Sequence, residues 1–363
     1  MHLALALLAA AGSVACARPS DAVVIAAAGN WDAGYGAMNQ RGIELALEQV
    51  NAEGGIDGRP LRALMRNDKG EGSRAVTIAA ELLAMPEVVA VVGHVNSGTM
   101  VAAARVYNEG LPAVSTTAST PDLSGISPWV FRVISSDSVN GRDLARHARA
   151  SGFTRAAILY ENNAYGRGLA QSFERNFAGT IVAIDPIPSV EAGDVEPFVA
   201  WIARRAPDVV FVAGTEASGL AVLREARRQG VRAAFLGSDG WTGIVREPQL
   251  AEGAMVGAPF TAEDPRDEVR RFVAAFRARF GMEPDGNAAL AYDATMLVAR
   301  ALRDGATTRA AVRDWLAARA TTAPFPGVTG PIAFHASGDV VGTGYVMTRV
   351  RRGALVVDGA GRP

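Results

Sequence analysis

Two short apolar runs follow one another closely in the first third of the chain. Val88 to Val92 is flanked by Pro86 and Gly93, which is the pattern of a strand buried on both faces of a sheet. A polar turn and a helix beginning near Met100 lead to the second run, Leu111 to Val114, which ends in a loop of Ser, Thr and Ala. Open α/β sheets bind ligands at the carboxyl ends of their strands. The stretch therefore predicts half of a binding site for a small polar molecule.

The same alternation of strand and helix runs through most of the chain. From Asp21 onward it predicts βαβ units, hence a parallel sheet with right-handed crossovers. The pattern restarts after Val133, which predicts a second α/β unit of similar size. From Pro265 to Ala320 the sequence is mainly helical, and strand-like runs follow. Because such a helical return places the chain back on the first unit, we expect several crossings and a hinge between two domains, which suits a length of 363 residues.

The amino-terminal segment has the composition of an export signal. His2 to Ala17 is almost entirely small and apolar, too short to span a bilayer but typical of the core of a secretory signal. Cys16 follows Ser13-Val14-Ala15, which is similar to a bacterial lipobox, where the cysteine is lipidated. Ser13 in place of the usual Leu departs from that pattern, so a plain signal peptide is the alternative. Either way we expect an exported protein, in the periplasm or on the outer face of the cytoplasmic membrane.

Several chemistries lack their sequence signatures. After Gly34 and Gly36 the next glycine is Gly42, so the G-x-G-x-x-G spacing of dinucleotide-binding folds is absent, and no P-loop occurs. Ser97 lies three residues after His94, but the sequence identifies no acid that would orient the histidine. The histidines lack metal-ligand spacing, and a net charge of −1 argues against nucleic-acid binding. We therefore expect no cofactor, no metal and no catalysed reaction.

Four segments, in order along the chain, resemble one family of binding proteins. They are Tyr35-Gly36 with Arg41-Gly42 and Asn51 to Pro60, Val92-Gly93-His94 with Ser97, Ser115 with Ala118 to Leu123, and Ala164 to Gly168. Through them the chain resembles the branched-chain amino-acid-binding (Leu/Ile/Val) family of type I periplasmic binding proteins. The resemblance covers nearly the whole mature chain. It implies an α/β fold of two Rossmann-like lobes with parallel sheets, joined by three crossovers and closing on a ligand delivered to an ABC importer.

The resemblance also divides the chain. Residues 1–20 would be the signal peptide with its lipobox. Residues 21–136 and 260–336 would form the first lobe, and residues 137–259 and 337–363 the second.

In the first lobe the resemblance assigns the main-chain end of an amino acid. Burying this zwitterion requires donors for its carboxylate and an acceptor for its ammonium group. Ser97 begins a helix, where free N–H groups and the helix dipole favour an anion; an ordinary helix cap is the alternative. Thr117 and Ser119 match positions that hold the carboxylate and the ammonium in the family, whereas a simple turn before Pro121 is the alternative.

In the second lobe Asp239 matches the acidic position that pairs with the ammonium group, with a local turn as the alternative. Tyr35 and Tyr165 match aromatic positions that face the cleft, one from each lobe. Trp31 and Trp241 are expected as pocket walls, or else as exposed or core residues.

One region departs from the family pattern. After the apolar run Val209 to Ala213 the family often has an aromatic residue, whereas this chain has Gly214-Thr215-Glu216. Thr215 would leave a roomier or more polar pocket, and Glu216 would add a second partner for a cation. The departure leaves the identity of the ligand open.

The sequence therefore predicts a monomeric solute-binding protein of an ABC importer, with an amino acid or a similar small polar ligand and the permease subunits as its partners. A ligand-sensing domain of the same fold, and a binder of aromatic acids or amides, are the alternatives.

Overall fold

The structure is a computed structural model that describes residues 22–188, 194–342 and 344–359. The predicted signal segment and Cys16 lie outside the described residues. Within these ranges no helix is both long and apolar enough to cross a membrane.

Strands and helices alternate along the chain as the sequence predicts. The first half contains β1 (Val23–Gly29), α1 (Gly34–Ala52), β2 (Leu61–Asn67), α2 (Gly72–Leu83), β3 (Val88–Gly93), α3 (Ser97–Tyr107), β4 (Ala113–Ser115), β5 (Val130–Arg132), α4 (Asp137–Ala150), β6 (Arg155–Glu161), α5 (Ala164–Asn176) and β7 (Thr180–Ile187). The second half contains α6 (Glu196–Ala203), β8 (Val209–Ala213), α7 (Glu216–Arg228), β9 (Ala234–Gly237), α8 (Pro248–Ala251), β10 (Met255–Ala258), α9 (Asp267–Phe280), α10 (Gly286–Arg303), α11 (Arg309–Ala317), β11 (Phe325–Gly327), β12 (Gly330–Ile332), β13 (Val346–Arg351) and β14 (Ala354–Val357). Short 3₁₀ helices span Pro121–Leu123, Asp239–Arg246 and Ala318–Ala320.

The first lobe is built on a parallel sheet with strand order β2-β1-β3-β4-β5. Its central strands are rich in Ala and Val and are buried on both faces, as expected for a sheet that is covered by helices. The C-terminal part of β1, from Ile25 to Ala28, is fully buried. Helices α10 and α1 pack together, and Tyr292 Oη donates to Gln49 Oε1 at 2.6 Å. The helical return from Pro265 therefore covers the first lobe.

The second lobe has a larger sheet with strand order β14-β13-β10-β9-β8-β6-β7. Strands β6 to β10 are mutually parallel, and β13 and β14 join antiparallel at one edge. The sequence does not predict β10, because its four residues, Met255–Ala258, give too short a run for a period to show.

The chain passes between the two lobes three times: from β5 to α4, from β10 to α9, and from β12 to β13. This arrangement confirms the predicted α/β fold of two lobes with parallel sheets and a three-crossover hinge. Asp339 pairs with Arg132 of β5, with Asp339 Oδ1 2.7 Å from Arg132 Nε. The third crossing therefore leaves the first lobe after Asp339.

Candidate ligand-binding site

The loops that follow β3 and β4 are tied together by the predicted hydroxyl groups. Ser97 is buried, and its Oγ accepts hydrogen bonds from the backbone N–H groups of Ser119 at 3.3 Å and Thr120 at 3.2 Å. Thr117 Oγ1 donates to Val95 O at 2.9 Å. Ser97 is thus the first residue of α3 rather than its cap, and its oxygen positions the neighbouring loop. We call Ser97, Thr117 and Ser119 the first-lobe face of the cleft.

The amino end of α3 lacks a side-chain cap. Asn96 occupies the cap position, but its Nδ2 donates to Tyr35 Oη at 2.8 Å instead of its side chain accepting from the helix. Gly98 in the first turn is exposed and has no side chain to cover the helix end. Uncapped N–H groups at the positive end of a helix dipole favour an anion. This end of the cleft is therefore suited to a carboxylate.

Ser119 also reaches across to the second lobe. Its Oγ donates to Asp137 Oδ2 at 3.1 Å, and the backbone N–H of Asp137 donates to Ser119 O at 2.8 Å. Asp137 begins α4 just after the first crossing and is fully buried. The sequence does not predict Asp137 as a site residue. The polar run Ser135-Ser136-Asp137-Ser138, placed between β5 and a helix, is the signal that could have indicated it.

Asp239, at the carboxyl end of β9, is the centre of a hydroxyl cluster. Its Oδ1 accepts hydrogen bonds from Tyr165 Oη at 2.8 Å, Tyr345 Oη at 2.6 Å and Ser238 Oγ at 2.9 Å. Tyr345 lies on the third crossing, and no motif around it would have indicated its role. We call Asp137, Tyr165, Asp239 and Tyr345 the second-lobe face of the cleft.

Burial perturbs the ionisation of this second-lobe face. The pKa of Asp137 is raised to about 8, first by desolvation and then by the charge of Asp239. Desolvation also raises the pKa of Asp239, against the lowering effect of hydrogen bonds from Tyr345, Tyr165 and Ser238. The pKa values of both tyrosines lie well above the ordinary value, chiefly because of desolvation and then the charge of Asp239. The second-lobe face therefore contains a pair of buried acids with raised pKa values, and Ser119 links one of them, Asp137, to the first-lobe face.

The two lobes touch on both sides of this region. A methyl group added at Gly168 of α5 would lie 2.8 Å from Pro121 Cδ of the first lobe. Asn287 Nδ2 of α10 donates to Thr242 Oγ1 of the second lobe at 3.2 Å. These contacts show that the two lobes touch each other.

The predicted aromatic residues differ in position. Tyr35 is half-buried beside the amino end of α3, and burial raises the pKa of its hydroxyl. Trp31 is partly buried against the core of the first lobe. Trp241, by contrast, is fully buried in the core of the second lobe, where its ring packs on Gly219 and Gly237. Trp241 thus has the core position that was the alternative to a pocket wall, because the small residues around it make room for the ring.

Thr215 and Glu216 have protein partners. Thr215 donates from both its N–H and its hydroxyl to Glu161 Oε1, at 2.8 and 2.6 Å. Glu216 forms a bidentate ion pair with Arg246, whose Nε lies 2.9 Å from Oε1. Arg246 therefore already neutralises Glu216, and a role for Glu216 as a second partner for a cation stays a prediction. Arg246 also lies close to the first lobe, since a methyl group added at Gly34 of that lobe would be 2.9 Å from its Nη2.

His94 does belong to a buried hydrogen-bonded chain, but not with Ser97. Its Nδ1 lies 2.6 Å from Asp68 Oδ2, and its Nε2 lies 2.9 Å from Tyr107 Oη. The acid that the sequence did not reveal is thus Asp68, yet the second ring nitrogen faces a tyrosine. In a catalytic triad the second ring nitrogen of the histidine accepts the proton of the nucleophilic serine. Here that nitrogen faces Tyr107 instead. Within the described ranges, no group of three or more His, Cys, Asp or Glu side chains could hold a metal ion.

Comparisons with known proteins agree with this architecture. The family model for periplasmic binding proteins matches residues 23–354. The Leu/Ile/Val-binding protein homolog 1 of Brucella abortus is 28% identical over 333 residues, which cover 88% of this chain and 87% of that protein.

Two solved structures are also similar. The branched-chain amino acid substrate-binding protein LivJ of Streptococcus pneumoniae, in complex with isoleucine, has a TM-score of 0.85 at 27% identity and covers 93% of this chain and 100% of its own. An ABC transporter substrate-binding protein of Desulfitobacterium hafniense in complex with Leu has a TM-score of 0.80 at 29% identity, covering 93% and 99%. This chain belongs to the periplasmic binding protein family and has the two-lobed type I fold of its branched-chain amino-acid-binding members.

Proposed function

We propose that this protein is an extracytoplasmic solute-binding protein of an ABC importer, and that it captures an amino acid by closing two lobes on it. The observation that carries the proposal is the hydrogen bond from Ser119 Oγ of the first lobe to Asp137 Oδ2 of the second lobe, at 3.1 Å. Because Ser97 Oγ accepts from the backbone N–H of Ser119, this bond links the uncapped amino end of α3 to a buried acid, so a ligand bound there would meet unlike groups from the two lobes.

The carboxylate of the ligand would bind at the first-lobe face. The first-turn N–H groups of α3, with the hydroxyl hydrogen of Ser97, are donors at the positive end of a helix dipole. Thr117 and Ser119 border the same position through the loop that Ser97 holds. Charge-assisted hydrogen bonds of this kind are about twice as strong as neutral ones.

The ammonium group of the ligand would bind at the second-lobe face. An ammonium group is a triple donor, and buried carboxylates accept from it with the greatest gain when no other cation satisfies them. Tyr165 and Tyr345 hold Asp239 in place from one side. Tyr35 and Trp31 lie on the side of the first lobe and would border the ligand side chain, together with Thr215 from the second lobe.

The proposals for partner, oligomeric state and location are based on the similar proteins. The permease subunits of an ABC importer would be the partner, and the protein would act as a monomer without catalysing a reaction. Export to the periplasm or the outer face of the cytoplasmic membrane would depend on residues 1–20, with Cys16 as the lipid anchor if it is modified. We propose lobes of residues 21–136 with 260–340 and 137–259 with 341–363, which moves the third boundary past Asp339.

A melting experiment with a ligand panel tests the proposal. The panel contains the twenty standard L-amino acids, benzoate and an aliphatic amide. At least one amino acid should raise the melting temperature, since a ligand at one hundred times its Kd adds about 2.7 kcal/mol to the free energy of unfolding. If benzoate or the amide raises it and every amino acid fails, the ligand class is wrong.

A pair of serine variants locates the site. Ser97→Ala should reduce the ligand-induced shift strongly. Ser73→Ala is the matched control, because Ser73 is exposed in the first turn of α2 in the same lobe. Equal shifts in both variants would contradict the placement of the carboxylate at α3.

A further inference from the structure

The second-lobe face contains two buried acids and too few positive charges to balance them. Asp137 and Asp239 both raise the pKa values of Tyr165 and Tyr345, so all four groups form one electrostatic cluster. Both acids are almost completely shielded from solvent, with exposed fractions of 0% and 8%. The cluster lies between the first and third crossings of the hinge, where closure shields it from water.

The hydrogen-bond donors that face the two acids are neutral. Asp137 accepts from Ser119 Oγ at 3.1 Å and, more weakly, from Asn140 Nδ2 at 3.4 Å. Asp239 accepts from three hydroxyl groups and is near the backbone N–H of Gly240. Hydroxyl and amide donors reduce the cost of burying one charge, but they do not cancel the repulsion between two.

Arg132 is the cation whose charge acts on Asp137, and its guanidinium group is already engaged. It pairs with Asp339 and donates from Nη1 to Ser119 O at 2.9 Å and to Thr120 O at 2.7 Å. In the described part of the chain, neither Asp137 nor Asp239 forms an ion pair with a cationic side chain. The cluster therefore lacks one positive charge.

A third buried acid, Asp293, has enough hydrogen-bond donors to stabilise its charge. Asp293 accepts from the backbone N–H groups of Val328 and Thr329, both at 2.8 Å, and from the Thr329 hydroxyl at 2.6 Å. Its pKa is raised only to about 6 by desolvation, whereas that of Asp137 is raised to about 8. Fewer donors and a neighbouring carboxylate account for the difference.

We propose that the empty site holds one proton on the Asp137–Asp239 pair, and that the ammonium group of the ligand displaces this proton when it binds. The inference rests on the proposed function. The exchange balances as one carboxylic acid plus one ammonium cation giving a carboxylate–ammonium pair and one proton released to solvent. No bond other than the O–H bond is broken. The proton belongs to the pair, because the two acids titrate together.

The proposal makes amino-acid capture depend on pH. Below the apparent pKa of the pair the ligand must displace a proton, so affinity rises with pH until the acids are already ionised. Since the pKa of Asp137 is about 8, Kd should fall about tenfold from pH 6 to pH 7 and level off above pH 8.

Titration calorimetry of the wild-type protein in two buffers of different ionisation enthalpy measures the released proton directly. The probe is L-leucine, or the panel amino acid with the largest melting shift if that is another. We expect about one proton per ligand at pH 6.5 and about half a proton at pH 8. Tight binding without release at pH 6.5 would overturn the proton exchange and leave the proposed function intact. Failure of every amino acid to bind would instead defeat the proposed function.

Two variants test whether the released proton comes from the Asp137–Asp239 pair. Asp137→Asn should bind without proton release and with a Kd that is independent of pH between 6 and 8. Asp293→Asn is the matched control, a buried acid away from the second-lobe face, and should release as much as the wild type at pH 6.5. Undiminished release from Asp137→Asn would show that another group supplies the proton. Ser119→Ala, which removes the hydroxyl donor of Asp137, should instead extend proton release to higher pH.

Discussion

The two faces of the cleft are assembled in different ways. The first-lobe face comes from one short stretch of chain, and it offers backbone N–H groups and hydroxyls at the amino end of α3. The second-lobe face is gathered from segments far apart in sequence, represented by Asp137, Tyr165, Asp239 and Tyr345. One face is neutral and donates; the other is acidic and accepts.

The two faces therefore contribute differently to recognition of the ligand. A helix end binds any carboxylate with little dependence on side chains, because its donors belong to the backbone. The acids determine whether the ligand must carry a cation, and the residues around them determine which side chain fits. We therefore expect substitutions in the second-lobe face to change affinity and selectivity more than equivalent substitutions elsewhere.

The largest effect is expected from Asp239→Asn. Removing one member of a buried, hydrogen-bonded charge pair costs about 2–5 kcal/mol, so affinity for the amino acid should fall by about 30-fold or more. Calorimetry measures this change, and circular dichroism checks that the variant is folded. Unchanged affinity would mean that Asp239 only supports the two tyrosines.

The next effect concerns closure of the first lobe on the second. Gly168→Val places a side chain where even a methyl group would be 2.8 Å from Pro121 Cδ. Overpacking of this kind costs about 1–3 kcal/mol, so affinity should fall by about 5- to 160-fold.

The Gly168→Val variant should remain folded, because the clash lies at the contact between the two lobes and not inside the core of either, and circular dichroism checks this. Small-angle scattering with saturating ligand should show a smaller decrease in radius of gyration than for the wild type. Full compaction at wild-type affinity would contradict the role of this contact in closure.

A smaller effect is expected from Tyr345→Phe. It removes one of three hydroxyl donors to Asp239 Oδ1 and leaves the ring in place. A hydrogen bond of this kind contributes about 0.5–1.5 kcal/mol, so Kd should rise by about 2- to 10-fold. Calorimetry measures it, and an equal loss for a ligand without an ammonium group would show that the hydroxyl acts independently of Asp239.

The smallest effect is expected from Glu216→Gln. Glu216 is paired with the largely exposed Arg246, and exposed ion pairs contribute about 0–1 kcal/mol. Affinity should change by less than about fivefold, in contrast to Asp239→Asn. A loss as large as that of Asp239→Asn would show that Glu216 contacts the ligand as Asp239 does.

The sequence predicts the first-lobe face better than the second for a physical reason. Ser97 and Thr117 follow strands whose apolar runs are unmistakable, and parallel strands bring their carboxyl ends to one edge. Asp137 and Tyr345 lie on the crossings of the hinge, where position depends on how the lobes dock and no periodic pattern exists. Glu216 has the right charge for a ligand contact, and only the structure reveals that Arg246, far along the chain, neutralises it.

The same reasoning explains Trp241 and Asp68. A tryptophan in a glycine-rich loop reads as a pocket wall, but the glycines at 219 and 237 open space for its ring inside the core. Asp68 closes β2 and meets His94 only because β1 lies between β2 and β3 in the sheet. The position of Trp241 depends on how a helix and a strand pack around it, and that of Asp68 on strand order, and local sequence patterns contain neither.

The central claim is that the cleft binds the two charged ends of an amino acid at its two unlike faces. Calorimetry with the best amino acid of the panel, its 2-oxo acid and its decarboxylated amine tests this claim most directly. We predict that each analogue, lacking one charged end, binds about 100-fold or more weakly than the amino acid. Equal affinity for the amino acid and its 2-oxo acid would contradict the account, because the acids of the second-lobe face would then have no part in recognition.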